Sequence, residues 1–307
     1  MSKVSVWLSA LRLRTLPLAA ASIILGAGLA IHAQIFDPLI FSLSLMTALL
    51  LQILSNLAND YGDAVSGADN LHRVGPLRAM QSGLISKKSM KAAILLTTLL
   101  VLVSGMTLLV VALGSNSTSW AVFLLLGLLA IIAAITYTMG KLPYGYRAMG
   151  DFAVFLFFGL LGVVGSYYLY GLIFSWSLLL PATSVGLLSA AVLNINNMRD
   201  MYTDKAAHKT TLVVLWGREN AFIYHLSLIV GAFICAVYYF SQLENVQAWQ
   251  FIFLLSFSPL IKSCTQLKEA IFKDFRDGQV FNNELKNTAL STFVFSLLFA
   301  LVLIAKN

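Results

Sequence analysis

Nine apolar stretches of about 20 residues, joined by short polar loops, leave most of this chain only lipid as a solvent. They lie at roughly 16–34, 38–58, 90–114, 119–139, 150–172, 176–198, 219–241, 247–264 and 288–305. Composition closes the alternative. The chain is 59% hydrophobic and 11% charged, whereas soluble domains carry about 25% charged residues. Too little polar surface remains to cover a water-soluble globule. The expected fold class is all-α: one polytopic membrane bundle of nine transmembrane helices, a single domain over residues 1–307.

Charge placement orients the bundle. Counting alternate loops, 19 of the 20 Lys and Arg fall on one side and only Lys306 falls on the other. Cytoplasmic loops carry this excess, so the N-terminus is expected inside and the C-terminus outside. Trp7 and Trp216 fall near the inner interface, and Trp120, Trp176 and Trp249 near the outer one. The net charge of +7 is therefore a topology signal, and no nucleic-acid partner is expected. Arg12 to Pro17 reads as a short interfacial helix entering a retained first span rather than as part of a signal peptide. Cys235 and Cys264 are far apart and the four histidines form no cluster, so neither a disulfide framework nor a zinc site is expected.

Two polar clusters break the apolar pattern, each where a span ends. The first is Asn56-Leu-Ala-Asn59-Asp60-Tyr-Gly-Asp63, with Asp69 just beyond it. The second runs from Asn194 through Asn197, Arg199, Asp200 and Asp204 to Lys209. On continuous helices, Asp60 with Asp63 and Asp200 with Asp204 share a face. Acids at membrane depth are costly without a partner or a task. Asn and Asp offer only oxygen ligands, which suit a hard ion such as Mg²⁺. Both clusters are expected on the cytoplasmic side, as two halves of one pocket. Spans two to four and six to eight then look like pseudo-repeats, each set opening with an acid-ended helix. Acids on one wall and cations on the loops above describe a site for Mg²⁺ and a diphosphate that carries a greasy tail.

Several residues read as structural. Asp151 favours a helix N-terminus. Gly159, Gly162 and Gly165 read as close helix packing. Arg73, Lys87 and Lys88 read as topology or headgroup charges, and His225 as lining.

The clusters resemble the two aspartate-rich motifs of the intramembrane aromatic prenyltransferases. Finer stretches are similar to the branch acting on 1,4-dihydroxy-2-naphthoate: Arg14-Thr15-Leu-Pro17, Asn56 to Asp63, Gly75-Pro-Leu-Arg78, Ile135 to Gly140 with Pro143-Tyr-Gly145, and Asn194 to Asp200. His208 stands where relatives often carry Gly or an acid. The resemblance implies an Mg²⁺-dependent transfer of a polyprenyl group from polyprenyl diphosphate to 1,4-dihydroxy-2-naphthoate. Loss of CO₂ and oxidation then give demethylmenaquinone. It implies that Asp60, Asp63, Asp200 and Asp204 hold the metal and diphosphate, supported by Asn56, Asn59 and Asn197. It also implies that Arg78, Lys141 and Lys209 contact the diphosphate, and that Tyr137 lines the path of the allylic cation. The expected setting is a bacterial inner membrane, with lipid as a further partner. The alternatives are a 4-hydroxybenzoate or haem acceptor and, in another class, a secondary transporter. Transporters place their charged sites near the midplane, whereas here the acids sit at one end.

Overall fold

The computed structural model describes residues 3–67, 78–273 and 278–306. Within them the regular structure is helical, apart from one backbone bridge between Arg147 and Thr210. In chain order the helices are α1 (Lys3–Leu11), α2 (Leu16–His32), α3 (Pro38–Ser66), α4 (Lys87–Leu113) and α5 (Ser117–Thr136). Then come α6 (Gly150–Val154), α7 (Ser166–Gly171), α8 (Leu179–Ala206), α9 (Leu212–Ser241), α10 (Phe257–Phe272) and α11 (Gln279–Ala305). A π-helical stretch, Phe155–Gly165, joins α6 to α7 in one span. Asp69, His72, Arg73, the Gly75-Pro-Leu segment and Arg276 lie outside the described residues.

Local signals set the helix ends. Leu39 and Ile40 donate their backbone N–H groups to Asp37 Oδ1 at 2.7 and 3.1 Å, and Pro38 opens α3. Gly67 ends that helix in the left-handed conformation, with φ 80°, a backbone that glycine adopts without steric cost. Ser86, Asn116 and Thr211 cap α4, α5 and α9 through their side-chain oxygens.

Among the described residues, eight helices are long and apolar enough to cross a membrane. The chain is an integral membrane protein. The expected span at 247–264 is not one of the eight. There a 3-10 segment, Ala248–Ser256, turns into α10. Pro259 has no N–H to give to a preceding carbonyl, so it belongs in the first turn of a new helix rather than the middle of a long one. The expected sixth span also runs longer than its apolar part, because α8 continues to Ala206 and carries the second acidic cluster on helical backbone.

The π stretch explains two of the three glycines expected at close contacts. A Cβ on Gly159 would fall 2.7 Å from the Ala182 carbonyl oxygen, and one on Gly162 would fall 2.7 Å from Ser22 Cβ. At Gly165 the near neighbour is Leu161, one turn away in the same segment. Lipid is as apolar as Leu, so close packing and interhelical hydrogen bonds hold such a bundle rather than the hydrophobic effect. Gly28 of α2 packs on Ala300 of α11, and the Ser184 hydroxyl donates to the Ala232 carbonyl at 2.9 Å, tying α8 to α9. Buried along most of its length, α8 is the central post, packed against α9, α11 and the π stretch. Phe240, Phe253, Phe295 and Phe299 stack beside it. Leu95, Leu99, Leu125 and Leu129 of α4 and α5 are exposed, as a lipid-facing surface requires. Both acid-ended helices, α3 and α8, reach the same end of the bundle.

Candidate active site

Asp63 is the best-held acid of the first cluster. It is buried, and the Arg78 Nη1 donates to its Oδ2 at 2.5 Å while the Tyr146 hydroxyl donates to its Oδ1 at 2.8 Å. Arg78 also donates to the Asn59 carbonyl at 2.8 Å, so the guanidinium is clamped to the last turns of α3. From the second cluster, Asp204 Oδ1 lies 3.3 Å from the Lys209 Nζ. The same ammonium is within electrostatic reach of Asp63 and sits over the Tyr146 ring at 5.6 Å. Lys209 thus joins the two halves that the sequence places 140 residues apart.

The backbone puts Lys209 there. Ala148 donates to the Thr210 carbonyl at 2.7 Å, and Thr210 donates to the Tyr146 carbonyl at 3.2 Å. Lys209 itself donates its N–H to the Asp204 carbonyl at 2.8 Å. The loop after α5 and the loop after α8 are therefore stitched together above the acids. Burial alone would pull the Lys209 ammonium down, but Asp204 and Asp63 outweigh it and hold the group above the ordinary lysine range. Burial pushes the Tyr137 hydroxyl up to about 12. Burial and the Asp63 charge also raise that of Tyr146, which stays a neutral donor.

Beneath this cluster lies a cavity of about 460 Å³. Asn59, Asp63, Arg78, Lys209 and Tyr137 line its polar end, and side chains from α2, α3, α4, α5 and the π stretch line its apolar length. Five of the expected site residues therefore meet at one opening. Others stand back from it. Lys141 is exposed in its loop and does not line the cavity. Asn56 donates to the Leu11 carbonyl and to Thr15 Oγ1, both at 2.9 Å, and so braces the chain entering α2. Asp200 is gripped by its neighbour Arg199, with Nε to Oδ1 at 2.8 Å and Nη2 to Oδ2 at 2.5 Å. That is the local ion pair a helix end makes readily. Lys209 rather than Lys205 is the partner of Asp204. Asp60 and Asn197 are buried on the same helix ends.

Sequence reasoning missed three residues. Arg12 and Arg14 were assigned to the interface, yet both line the cavity. Arg12 has φ 49°, and the Thr15 hydroxyl donates back to its carbonyl at 2.9 Å, which folds this segment into an elbow over the opening. The signals were two arginines ahead of a Pro-led span and the Arg14-Thr15-Leu-Pro17 stretch, to which no site role was given. Tyr146, the neutral partner of Asp63, carried no signal beyond its place in a loop.

Among the described residues, no three His, Cys, Asp or Glu lie close enough together to hold a metal ion. The donor chemistry nonetheless suits a hard cation. Asp204 Oδ2 and Asn197 Oδ1 are buried oxygens with no hydrogen-bond partner among the described residues.

Comparison with known proteins agrees with this geometry. Residues 19–269 match the family model described as the UbiA prenyltransferase family. The chain is 46% identical over 301 residues to the 1,4-dihydroxy-2-naphthoate octaprenyltransferase of Escherichia coli strain K12, covering 98% of this chain and 95% of that protein. It is 44% identical to the enzyme of the same name from Haemophilus influenzae, over 85% of this chain and 84% of that one. Its fold is similar to a UbiA homolog from Archaeoglobus fulgidus bound to GPP and Mg²⁺, with TM-score 0.62, 20% identity and coverage of 99% and 100%. It is also similar to a UbiA homolog from Aeropyrum pernix, with TM-score 0.64, 16% identity and coverage of 92% and 94%. A paired acid and cation mouth over an apolar membrane cavity, with these relatives, places the chain in the UbiA prenyltransferase family.

Proposed function

We propose that this chain transfers a polyprenyl group from polyprenyl diphosphate to 1,4-dihydroxy-2-naphthoate with loss of CO₂. The observation that carries the reading is the convergence of Asp63, Arg78, Asp204 and Lys209 at the mouth of a cavity whose remaining length is mostly apolar. The head of the donor would lie among these charges and its tail would run down the cavity. The names of the Escherichia coli and Haemophilus influenzae relatives support the choice of acceptor.

Asp60, Asp63, Asp200 and Asp204 are the acids that would hold Mg²⁺, with Asn59 and Asn197 beside them. The ion, when bound, neutralises charge on the leaving diphosphate. Arg78 and Lys209 supply fixed positive charge at the same place, in a site where burial strengthens it. The apolar cavity walls keep water from the allylic cation. Tyr137, whose ring packs edge-on to Tyr144 at 5.3 Å between centroids, offers that cation an aromatic face. Arg12 and Arg14, which also line the cavity, would meet the carboxylate of the acceptor. The ring carbon bearing that carboxylate forms the new bond, and its bond to CO₂ then breaks to restore the aromatic ring. The quinol gives demethylmenaquinone when an oxidant removes two electrons. The site faces the cytoplasm in a nine-crossing bundle of a bacterial inner membrane, with α10 and its 3-10 lead making the remaining crossing.

The test is direct. Purified protein in lipid nanodiscs receives prenyl diphosphate and the naphthoate acceptor, with or without Mg²⁺. Prenylated product, diphosphate and CO₂ are expected in equal amounts, dependent on the metal. 4-Hydroxybenzoate is expected neither to react nor to compete. Prenylation without release of CO₂ would defeat the assignment of acceptor.

A further inference from the structure

Two glycines inside α-helices lack the close contact that most of the others make with a neighbouring element. A Cβ added at Gly26, Gly28, Gly62, Gly159 or Gly186 would fall 2.2 to 2.8 Å from a neighbouring element. At Gly105 of α4 the nearest atom is Thr47 Cγ2, at 3.9 Å, and at Gly127 of α5 nothing lies within 4 Å. Neither has a left-handed backbone. Each weakens its helix by comparison with Ala. Both line the cavity. What glycine secures at these positions is open cross-section.

The surroundings have the form of a channel. Along α5, Gly127, Ala130, Ala134 and Tyr137 lie on one helical stripe, so small side chains lead away from the polar end. Farther along the cavity wall, α3 contributes Ala48 and, deeper still, Ser44. Ser44 is buried, lines the cavity, and its hydroxyl has no hydrogen-bond partner among the described residues. An isoprenoid double bond is a weak π acceptor that such a hydroxyl can meet.

We propose that Gly127 and Gly105 are successive clearance points for the isoprenoid tail and set the length of donor the enzyme accepts. The proposal rests on the prenyl-transfer reading. Ten residues of α5 separate Gly127 from Tyr137, a rise of about 15 Å. Thr47, level with Gly105, is sixteen residues from Asp63, a rise of about 24 Å. An isoprene unit advances about 5 Å along its four in-line carbon–carbon bonds. Gly127 therefore lies beside roughly the third unit of the tail and Gly105 beside roughly the fifth.

The experiment compares wild type, Gly127→Phe and Gly105→Phe in nanodiscs. The donors are all-trans prenyl diphosphates of two, three, four, six and eight units, and kcat/KM is read for each. Gly127→Phe is expected to keep the two-unit donor near the wild-type value and to lose donors of four units and more by about tenfold or greater, as forced overpacking demands. Gly105→Phe is expected to keep two to four units and to lose six and eight. Equal loss of every donor in a folded variant, no loss of any, or the reverse order of cut-offs overturns the proposal. Leu variants at the same positions are read by the same rule if Phe prevents folding. A wild type inactive with every donor overturns the prenyl-transfer reading itself.

Discussion

Replacing Lys209 by Met perturbs the site where its two halves meet. The lysine is 6% exposed and its Nζ lies 3.3 Å from Asp204 Oδ1. Met keeps a long apolar stem and removes the charge. Asp204 then loses the cation beside it, and its Oδ2 already lacks a hydrogen-bond partner among the described residues. Breaking a buried pair in this way costs about 3–5 kcal/mol, a large part of the roughly 5–15 kcal/mol by which folded proteins are stable. The unfolding temperature should fall while the fold survives. Turnover should suffer more. A preorganised group aimed at developing negative charge contributes about 2.7–4 kcal/mol, or some 10²–10³-fold in kcat. Lys209→Arg keeps the charge but cannot place it at the same point, so it should restore stability more than turnover. The sign of the pH dependence also follows. Because the folded-state pKa of Lys209 is raised, its contribution is complete below the unfolded value near 10.4 and is lost only as pH rises through the higher folded value. No Lys209-linked loss of wild-type activity is expected below about pH 10. The assay is steady-state prenylation with a thermal melt on the same sample. A Met variant with a lowered melt and a kcat near the wild-type value would refute the part assigned to this ammonium in stabilising the leaving group.

Three further outcomes follow from the same geometry. Asp60→Asn should abolish turnover while the protein still purifies as a folded membrane protein, and near-normal activity would remove Asp60 from the metal site. Asn56→Ala should lower thermal stability by about 1–3 kcal/mol, because Leu11 and Thr15 lose their donor. With saturating acceptor its kcat should change less than its melting point suggests. A tag after Asn307 should be accessible only from the periplasmic face of sealed spheroplasts, and cytoplasmic accessibility would contradict nine crossings.

The bundle was legible because lipid leaves few options: apolar length gave eight of the nine expected spans. That the acidic ends of α3 and α8 would meet was legible as well, since each is too polar for the depth at which it sits. The immediate partners were not. Lys141 and Lys209 look alike as loop lysines, and only the backbone register between Tyr146 and Thr210 sends one of them to the acids. The adjacency of Arg199 and Asp200 allowed either a local pair or a shared ligand, and rotamer packing decided for the pair. Arg12 and Arg14 were hidden because a left-handed turn at a non-glycine residue leaves no trace in hydropathy. The break before α10 was written in Pro259, but a window average over 247–264 dilutes one proline.

The bridge between Arg147 and Thr210 is made by main-chain atoms. Side chains in those loops can therefore drift over generations without moving the lysine they carry. A change of loop length has no such tolerance. One inserted residue in either loop would slide the register and swing Lys209 away from its acids. Natural variation in these two loops should therefore be rich in substitutions and poor in insertions or deletions.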